Sequence, residues 1–283
     1  MLRIAIAPNA QFCESTLEIL RQAGVQFSTS NNSSVSRSRQ FPAEVFTLPY
    51  NEIIHNVSNG IVDIGIVGEH HLINKFHNIE EIRHFNFASC NLSISLPKTI
   101  RYKGLEWFIG KKIATPFADV LSVYLKSKNI RAQIIPISNL SSFIPEMGIA
   151  DAVFDLVITG STLLQHNLKE VEVVMQTSPV LIANKKMAPT QRMIFDELLM
   201  RIDAIIEAKG KKSITMMVKK DDVDEVVKML IPNSEPAVIP MTDPNYRFVM
   251  LVTDESRLWD VLPRLKQIGV NNITIGALEK IVL

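Results

Sequence analysis

The chain has 283 residues, 47% of them hydrophobic, with 30 Lys and Arg set against 29 Asp and Glu. That length admits two or three domains with sizeable cores, and the scattered, balanced charge offers no basic field of the kind a nucleic acid requires. No apolar run approaches the roughly 18 residues that span a bilayer, and the two cysteines, Cys13 and Cys90, set neither a disulfide framework nor a zinc spacing. Nucleic-acid and membrane partners drop out of the reading, and small molecules remain. The chain enters a strand pattern directly after Met1 with no leader-like pattern before it, which predicts a cytoplasmic protein.

Taken in order, the first two hundred residues alternate short apolar strands with amphipathic helices, the pattern of α/β layers around a mostly parallel sheet. Strand patterns cover 2–7, 45–48 and 61–67, with helices over 14–23 and 51–58 that stop at Gly24 and Gly60. The serine-rich stretch 31–39 lacks apolar period and reads as an exposed loop. Strands follow over 92–96, 112–114, 133–137, 153–158 and 170–175, with helices over 120–126 and 142–147. A long helix over 190–208 precedes the charged, glycine-bearing stretch 209–212, a domain boundary. Beyond it the order is βαββαβ, a ferredoxin-like unit in about 70 residues.

The segment DAVFDLVITGSTL at 151–163 carries the most chemistry, because a strand runs straight into a small hydroxyl-bearing loop. Thr159, Gly160, Ser161 and Thr162 offer backbone N–H groups and hydroxyls at one spot, which suits a phosphate. Asp155 and Asp151, four and eight residues before the loop, are candidates to face a ribose or a cation beside it. Taken alone, Ser161 or Thr162 could equally be a helix cap.

Other residues have competing roles. His70 and His71 are too divergent on a helix to share a metal and read instead as a helix start after Gly68. Glu69 is favourable near that helix start. Cys90 reads as a buried small residue rather than a nucleophile. Lys111 and Lys112 read as solvated strand-edge charges. Trp259 and Phe248 are surplus apolar groups suited to a subunit interface.

In order along the chain, LRIAIA at 2–7, GIVDIGIVGEHHL at 60–72, GKKIAT at 110–115, GIADAVFDLVITGSTL at 148–163, NLKEVEVV at 167–174 and EKIVL at 279–283 together resemble the long form of ATP phosphoribosyltransferase. The resemblance implies a bilobal, periplasmic-binding-protein-like catalytic unit plus a C-terminal ferredoxin-like regulatory domain. It divides the chain into 1–90 with 176–209, 91–175, and 210–283. It implies transfer of the phosphoribosyl group of phosphoribosyl pyrophosphate (PRPP) to N1 of ATP, the first step of histidine biosynthesis. Asp151, Asp155, Thr159, Gly160, Ser161 and Thr162 then hold PRPP, Gln11, Glu69 and Thr115 are possible cleft residues, and no side chain is assigned as catalytic. Magnesium (Mg2+) rides on the pyrophosphate, and a homodimer or hexamer is expected.

The chain departs from the family pattern at particular positions. Pro8, Asn9, Ala10 and Gln11 replace a lysine, a small residue, a glycine and an arginine; Pro49 and its neighbours replace an arginine-bearing segment; Ser142 stands for a glutamate; Asn91 follows Cys90 where the family has arginine; and Thr115–Ala118 replaces Thr-Ser-Tyr-Pro. These losses leave an alternative open: a diverged paralogue with altered catalysis that binds a phosphorylated small molecule or serves as a complex subunit. Met217 and Ala237 fall where the family's histidine site has hydrogen-bonding groups, so histidine is expected to be at most a weak inhibitor.

Overall fold

The computed structural model describes residues 1–7, 14–27, 34–73, 77–85, 89–137, 148–158, 160–230 and 236–282. It divides into two compact units, Met1–Ile194 and Phe195–Leu283. Among the described residues no helix is long and apolar enough to cross a membrane.

The first unit contains two sheets. One comprises β1 (Leu2–Ile6), β2 (Val35–Arg37), β3 (Ala43–Thr47), β4 (Ile64–Gly68), β5 (Ile79–His84) and β11 (Pro179–Asn184), in the order β2-β3-β1-β4-β11-β5. β4 (IGIVG) and β11 (PVLIAN) are buried at every residue, as continuous apolar runs covered on both faces should be. Helix α1 (Glu14–Gln22) buries Leu17, Ile19 and Leu20, and α2 (Tyr50–Ser58) buries Ile53, Ile54 and Val57. α2 lies so close to β4 that a Cβ on Gly65 would meet Ile53 Cγ2 at 2.5 Å, so the close approach requires glycine. Asn184, 5% exposed, donates from Nδ2 to the Val57 carbonyl at 2.5 Å, tying β11 to the end of α2. Asp63 accepts from the Arg3 backbone N–H (2.7 Å) and guanidinium (2.6 Å), which joins the start of β1 to the residue before β4.

The second sheet comprises β6 (Cys90–Pro97), β7 (Lys112–Thr115), β8 (Gln133–Pro136), β9 (Ala152–Val157) and β10 (Leu168–Thr177), in the order β10-β6-β9-β7-β8. Leu92, Ile94, Leu96 and Phe154 on one face pack with Phe108 and with Leu121 and Leu125 of α3 (Ala118–Ser127). Each such apolar side chain contributes roughly 1.5–3 kcal/mol by leaving water. The intervening residues Asn91, Ser93 and Asp155 stand on the opposite face, following the period-2 alternation of the pleat. A five-residue helix, α4 (Ser161–Gln165), follows β9.

In the second unit, most of α5 (Pro189–Ala208) precedes a four-stranded antiparallel sheet of β12 (Lys211–Lys219), β13 (Ala237–Pro240), β14 (Tyr246–Asp254) and β15 (Asn271–Ala277), ordered β13-β14-β12-β15. Helices α6 (Val223–Leu230) and α7 (Glu255–Gln267) cover one face, burying Ile214, Met216, Val218, Val249 and Leu251 with Leu258 and Leu265. This is the ferredoxin-like order.

Three expectations change. Both sheets of the first unit are mixed rather than mostly parallel: β11 runs antiparallel to β4, and β6 antiparallel to β9 and β10. The described part of the 31–39 stretch is not loop alone, because β2 pairs antiparallel with β3 and the buried Ser38 hydroxyl donates to Gly24 and accepts from Gln26. β5 and β11 are additional strands. The predicted helix at 142–147 lies outside the described residues.

Candidate functional site

Strand direction places the site. β1, β3 and β4 run parallel, so their carboxyl ends share one edge, and that edge carries Leu48–Tyr50 after β3 and Glu69–His71 after β4. In the second sheet β7 and β9 are also parallel, and their carboxyl ends carry Pro116–Phe117 and Ile158–Ser161. Register sets Asn91 opposite Val157, and Thr177 opposite Cys90, at that same edge. The two edges meet: the chain crosses from Thr177 to Pro179 between the sheets, and the Glu69 N–H donates to the Ser178 carbonyl at 3.0 Å. Ligands of α/β folds bind outside the carboxyl ends of strands, so facing carboxyl edges define a cleft.

An aromatic group bridges it. Tyr50, which opens α2, stacks on His71 at 4.9 Å and 22°, while the His70 ring meets Phe117 edge-on at 4.8 Å and 85°. His70 is buried, its Nδ1 lies 2.8 Å from the Thr177 hydroxyl, and that hydroxyl accepts the His70 N–H at 3.3 Å. Burial first, and then the charge of the neighbouring ring, pushes His70 down to about 3; burial pushes His71 down to about 4. Both rings are therefore neutral at pH 7. A cavity of about 200 Å³ opens beside them, lined by His70, His71, Pro116, Phe117, Ala118 and Asp119 among others.

The residues singled out from sequence fall into three groups. Gly160, at φ +71°, stands in the left-handed region that favours glycine, and Ser161 begins α4 directly after it. Glu69 is half-buried in a 3-10 turn on the facing edge. Asp155 lies on β9 opposite Ser93, whose hydroxyl donates to Glu170 at 2.6 Å, while Asn91 donates to the same carboxylate oxygen at 3.2 Å. Thr115 is buried, and its Oγ1 accepts the Phe117 N–H at 2.9 Å, which shapes the 115–117 turn. Asp151 stands apart from the others. It lies at the amino end of β9, six strand residues from the loop, where it accepts the Lys112 N–H at 2.9 Å and pairs with Lys111 Nζ at 3.4 Å. Lys111 also sits over the Trp107 ring at 5.2 Å, so this pair of residues belongs to the edge away from the cleft. Gln11 and Thr159 lie outside the described residues, as do Pro8, Ala10, Cys13 and Ser142; Thr162 is the second residue of α4.

The bridging aromatic group was missed from sequence, although its two halves share a recoverable signal: GEHH and TPF each directly follow a buried strand at its carboxyl end. Within the first unit, the described family departures Pro49 with Tyr50, Asn91, and Pro116–Ala118 lie along these carboxyl edges. Cys90 is buried and its thiol is pushed up to about 11 by burial, which leaves it a packing residue.

Fold and site define a two-lobed α/β protein of the periplasmic-binding-protein-like class with a ferredoxin-like appendage. Its fold resembles a chain of the ATP phosphoribosyl transferase (HisG:HisZ) complex from Thermotoga maritima, with a TM-score of 0.58 and 24% identity over 71% of this chain and 96% of that one. It also resembles an ABC transporter periplasmic binding protein from Brucella ovis with glutathione bound, with a TM-score of 0.52 and 11% identity over 81% and 73% of the two chains. The family model for ATP phosphoribosyltransferase matches residues 49–204, and that for the HisG C-terminal domain matches 208–280. The ATP phosphoribosyltransferase of Bacteroides fragilis is 37% identical over all 283 residues and the whole of both chains; that of Cytophaga hutchinsonii is 34% identical over 282 residues, covering 100% of this chain and 99% of its own. The chain belongs to the ATP phosphoribosyltransferase family, the transferases of the first step of histidine biosynthesis. None of these comparisons favours a non-catalytic binding protein.

Proposed function

We infer that this chain transfers the phosphoribosyl group of PRPP to N1 of ATP and releases pyrophosphate. The observation that carries the reading is the end-to-end match, at 37% identity, to a protein bearing that activity's name. The geometry is compatible with it. A bond forms between N1 and the ribose C1, the bond from C1 to pyrophosphate breaks, and its electron pair leaves with pyrophosphate. No covalent nucleophile is required; holding two polyanions in line and stabilising charge at C1 supply the rate.

In this reading the backbone around Gly160 and Ser161 grips the 5'-phosphate with Thr159 and Thr162, and Asp155 orients the ribose. Glu69 faces them from the other edge, and Gln11 belongs to the same cleft. Magnesium bound to pyrophosphate supplies charge neutralisation of the leaving group. The described carboxylates along these edges, Asp155, Glu69 and Asp119 among them, and the neutral histidines fit an ion held mainly by phosphate and water rather than by an all-protein cage.

The same reading makes the protein a cytoplasmic homo-oligomer with little response to histidine. Register sets Met217 and Ile239 opposite Phe248, and Ala237 opposite Met250, on the sheet face away from α6 and α7; Ile239 is 50% exposed and Met250 43%. That face mixes apolar side chains with the Ser213, Thr215 and Thr274 hydroxyls and offers apolar area suited to a second subunit. Magnesium-dependent release of pyrophosphate from PRPP with ATP tests the transfer. Turnover that requires both substrates supports it, and absence of turnover in folded protein contradicts it.

A further inference from the structure

The chain passes between the two sheets of the first unit twice, after β5 and after β10. A few element-terminal residues can absorb a hinge motion, so two crossings alone do not fix the angle between the lobes. At the second crossing, buried polar contacts do. His70, in the turn after β4, and Thr177, the last residue of β10, are both buried. The Thr177 hydroxyl lies 2.8 Å from His70 Nδ1 and accepts the His70 N–H at 3.3 Å, so one residue of the second sheet holds both the ring and the backbone of a residue beside the first. A hydroxyl has one proton and two lone pairs, enough to meet both groups whichever tautomer the ring adopts. The neighbouring Glu69 N–H donates to the Ser178 carbonyl, which fastens the same turn to the crossing itself.

The His70 ring also reaches further into the second lobe. It meets Phe117 edge-on at 4.8 Å, and Phe117 in turn meets the buried Phe154 of β9 at 6.4 Å and 84°. His70 is therefore a spacer between the end of β10 and the turn after β7. A buried imidazole keeps its place through its hydrogen bond, because an unmet polar group in the interior is costly. One hydrogen bond and one ring edge together define where it sits; an apolar residue would have packing alone.

Resting on the transferase reading above, we propose that His70 is a positioning residue: through Thr177 and Phe117 it sets how the two carboxyl edges face each other. Transfer requires groups on both edges at once, and a misplacement of about 1 Å can cost roughly a hundredfold in rate. PRPP, in that reading, is gripped chiefly around Gly160 and Ser161 on one edge. Loosening the spacer should therefore lower kcat and spare PRPP affinity.

The test compares the intact chain with Thr177→Val, Thr177→Ser and His70→Phe by melting temperature, PRPP affinity and kcat for pyrophosphate release. Thr177→Val keeps the side-chain outline and removes the hydroxyl, whereas His70→Phe keeps a ring against Phe117 and removes Nδ1. Each should lower kcat on the order of tenfold with PRPP affinity within about twofold, and Thr177→Ser should restore the rate. The double variant should be no slower than either single one, because both remove the same bond. His70→Phe reads that bond from its other side, so the test stands if Thr177→Val does not fold. A residue that only packs would change melting temperature and leave kcat of the folded protein intact; that result overturns the inference, as does Thr177→Ser as slow as Thr177→Val. Spin labels at the exposed Glu52 of α2 and Lys126 of α3, with Cys13 and Cys90 replaced by serine, read lobe placement without turnover. Their distance distribution should be narrow in the intact chain and in Thr177→Ser, and shifted or broadened in Thr177→Val. An unmoved distribution overturns the positioning role alone, whereas an intact chain without turnover overturns the transferase reading and leaves the distances to decide the positioning role.

Discussion

At the amino edge of the second sheet, Asp151 closes on Lys111 and the Lys112 N–H, with Trp107 under the ammonium; at the carboxyl edge of the same strands stand Thr115, Phe117, Gly160 and Asn91, none of them charged. The contrast shows how one small sheet separates fastening from binding. Opposite charges at the amino edge satisfy each other and tie β7 to β9, whereas the carboxyl edge keeps loop backbone and neutral rings beside carboxylates such as Glu69, which closes on no cation among the described residues. A sequence scan for carboxylates near a phosphate loop picks up Asp151 and Asp155 alike, and only strand direction separates them.

The largest way to break this contrast is Gly160→Val. Nothing lies within 4 Å of a Cβ placed there, so the cost comes from forcing a β-branched residue to φ +71° and not from crowding. The loop should reshape, with PRPP affinity falling on the order of a hundredfold and stability by about 1–3 kcal/mol; calorimetric titration with PRPP measures the first, denaturant unfolding the second. A variant that binds PRPP normally would detach the loop from donor binding.

Acid is the next probe, because it acts on the carboxyl edge through the buried His70 and the partly buried His71. The ordinary histidine value in an unfolded chain is near 6.5, while His70 and His71 are held down to about 3 and about 4. Between pH 6.5 and 4 the unfolded chain therefore binds protons that the folded chain refuses, so stability falls as pH falls through that window, by up to about 1.4 kcal/mol per pH unit for each histidine. Melting temperature followed from pH 7 to 4.5 should drop, and His71→Phe should flatten the slope. A pH-independent melting temperature would place these rings in water.

The smallest effect belongs to the amino edge. Asp151→Asn removes a half-exposed ion pair with Lys111 while an amide oxygen can still accept the Lys112 N–H, so stability should fall by no more than about 1 kcal/mol and turnover should stay within about twofold. A large loss of turnover would return Asp151 to the substrate site.

Much of this architecture is legible in the residues. The βαββαβ order of the second unit follows from apolar period alone, since Ile214, Met216 and Val218 alternate and Leu258 and Leu265 share a helix face. The strand before the Gly160 loop is equally plain. β2 is not legible, because three residues with Val35 45% exposed carry no apolar period, and an edge strand of that kind is fixed by pairing with β3 and by the Ser38 hydroxyl. β11 is hidden for another reason: its partner β4 lies more than a hundred residues earlier, and a local pattern cannot show an antiparallel return. The cleft group escaped in the same way, since His70 and Phe117 belong to different lobes and meet only because two sheets turn their carboxyl edges together.

Amide hydrogen exchange with and without PRPP tests the central claim, that ligands bind at those facing edges, most directly. The account predicts slowed exchange in Gly160–Leu164 at the end of β9, with the amides of Gly110–Ile113 at the amino edge unchanged. Protection confined to Gly110–Ile113, or no protection at Gly160–Leu164 under saturating PRPP, would contradict it.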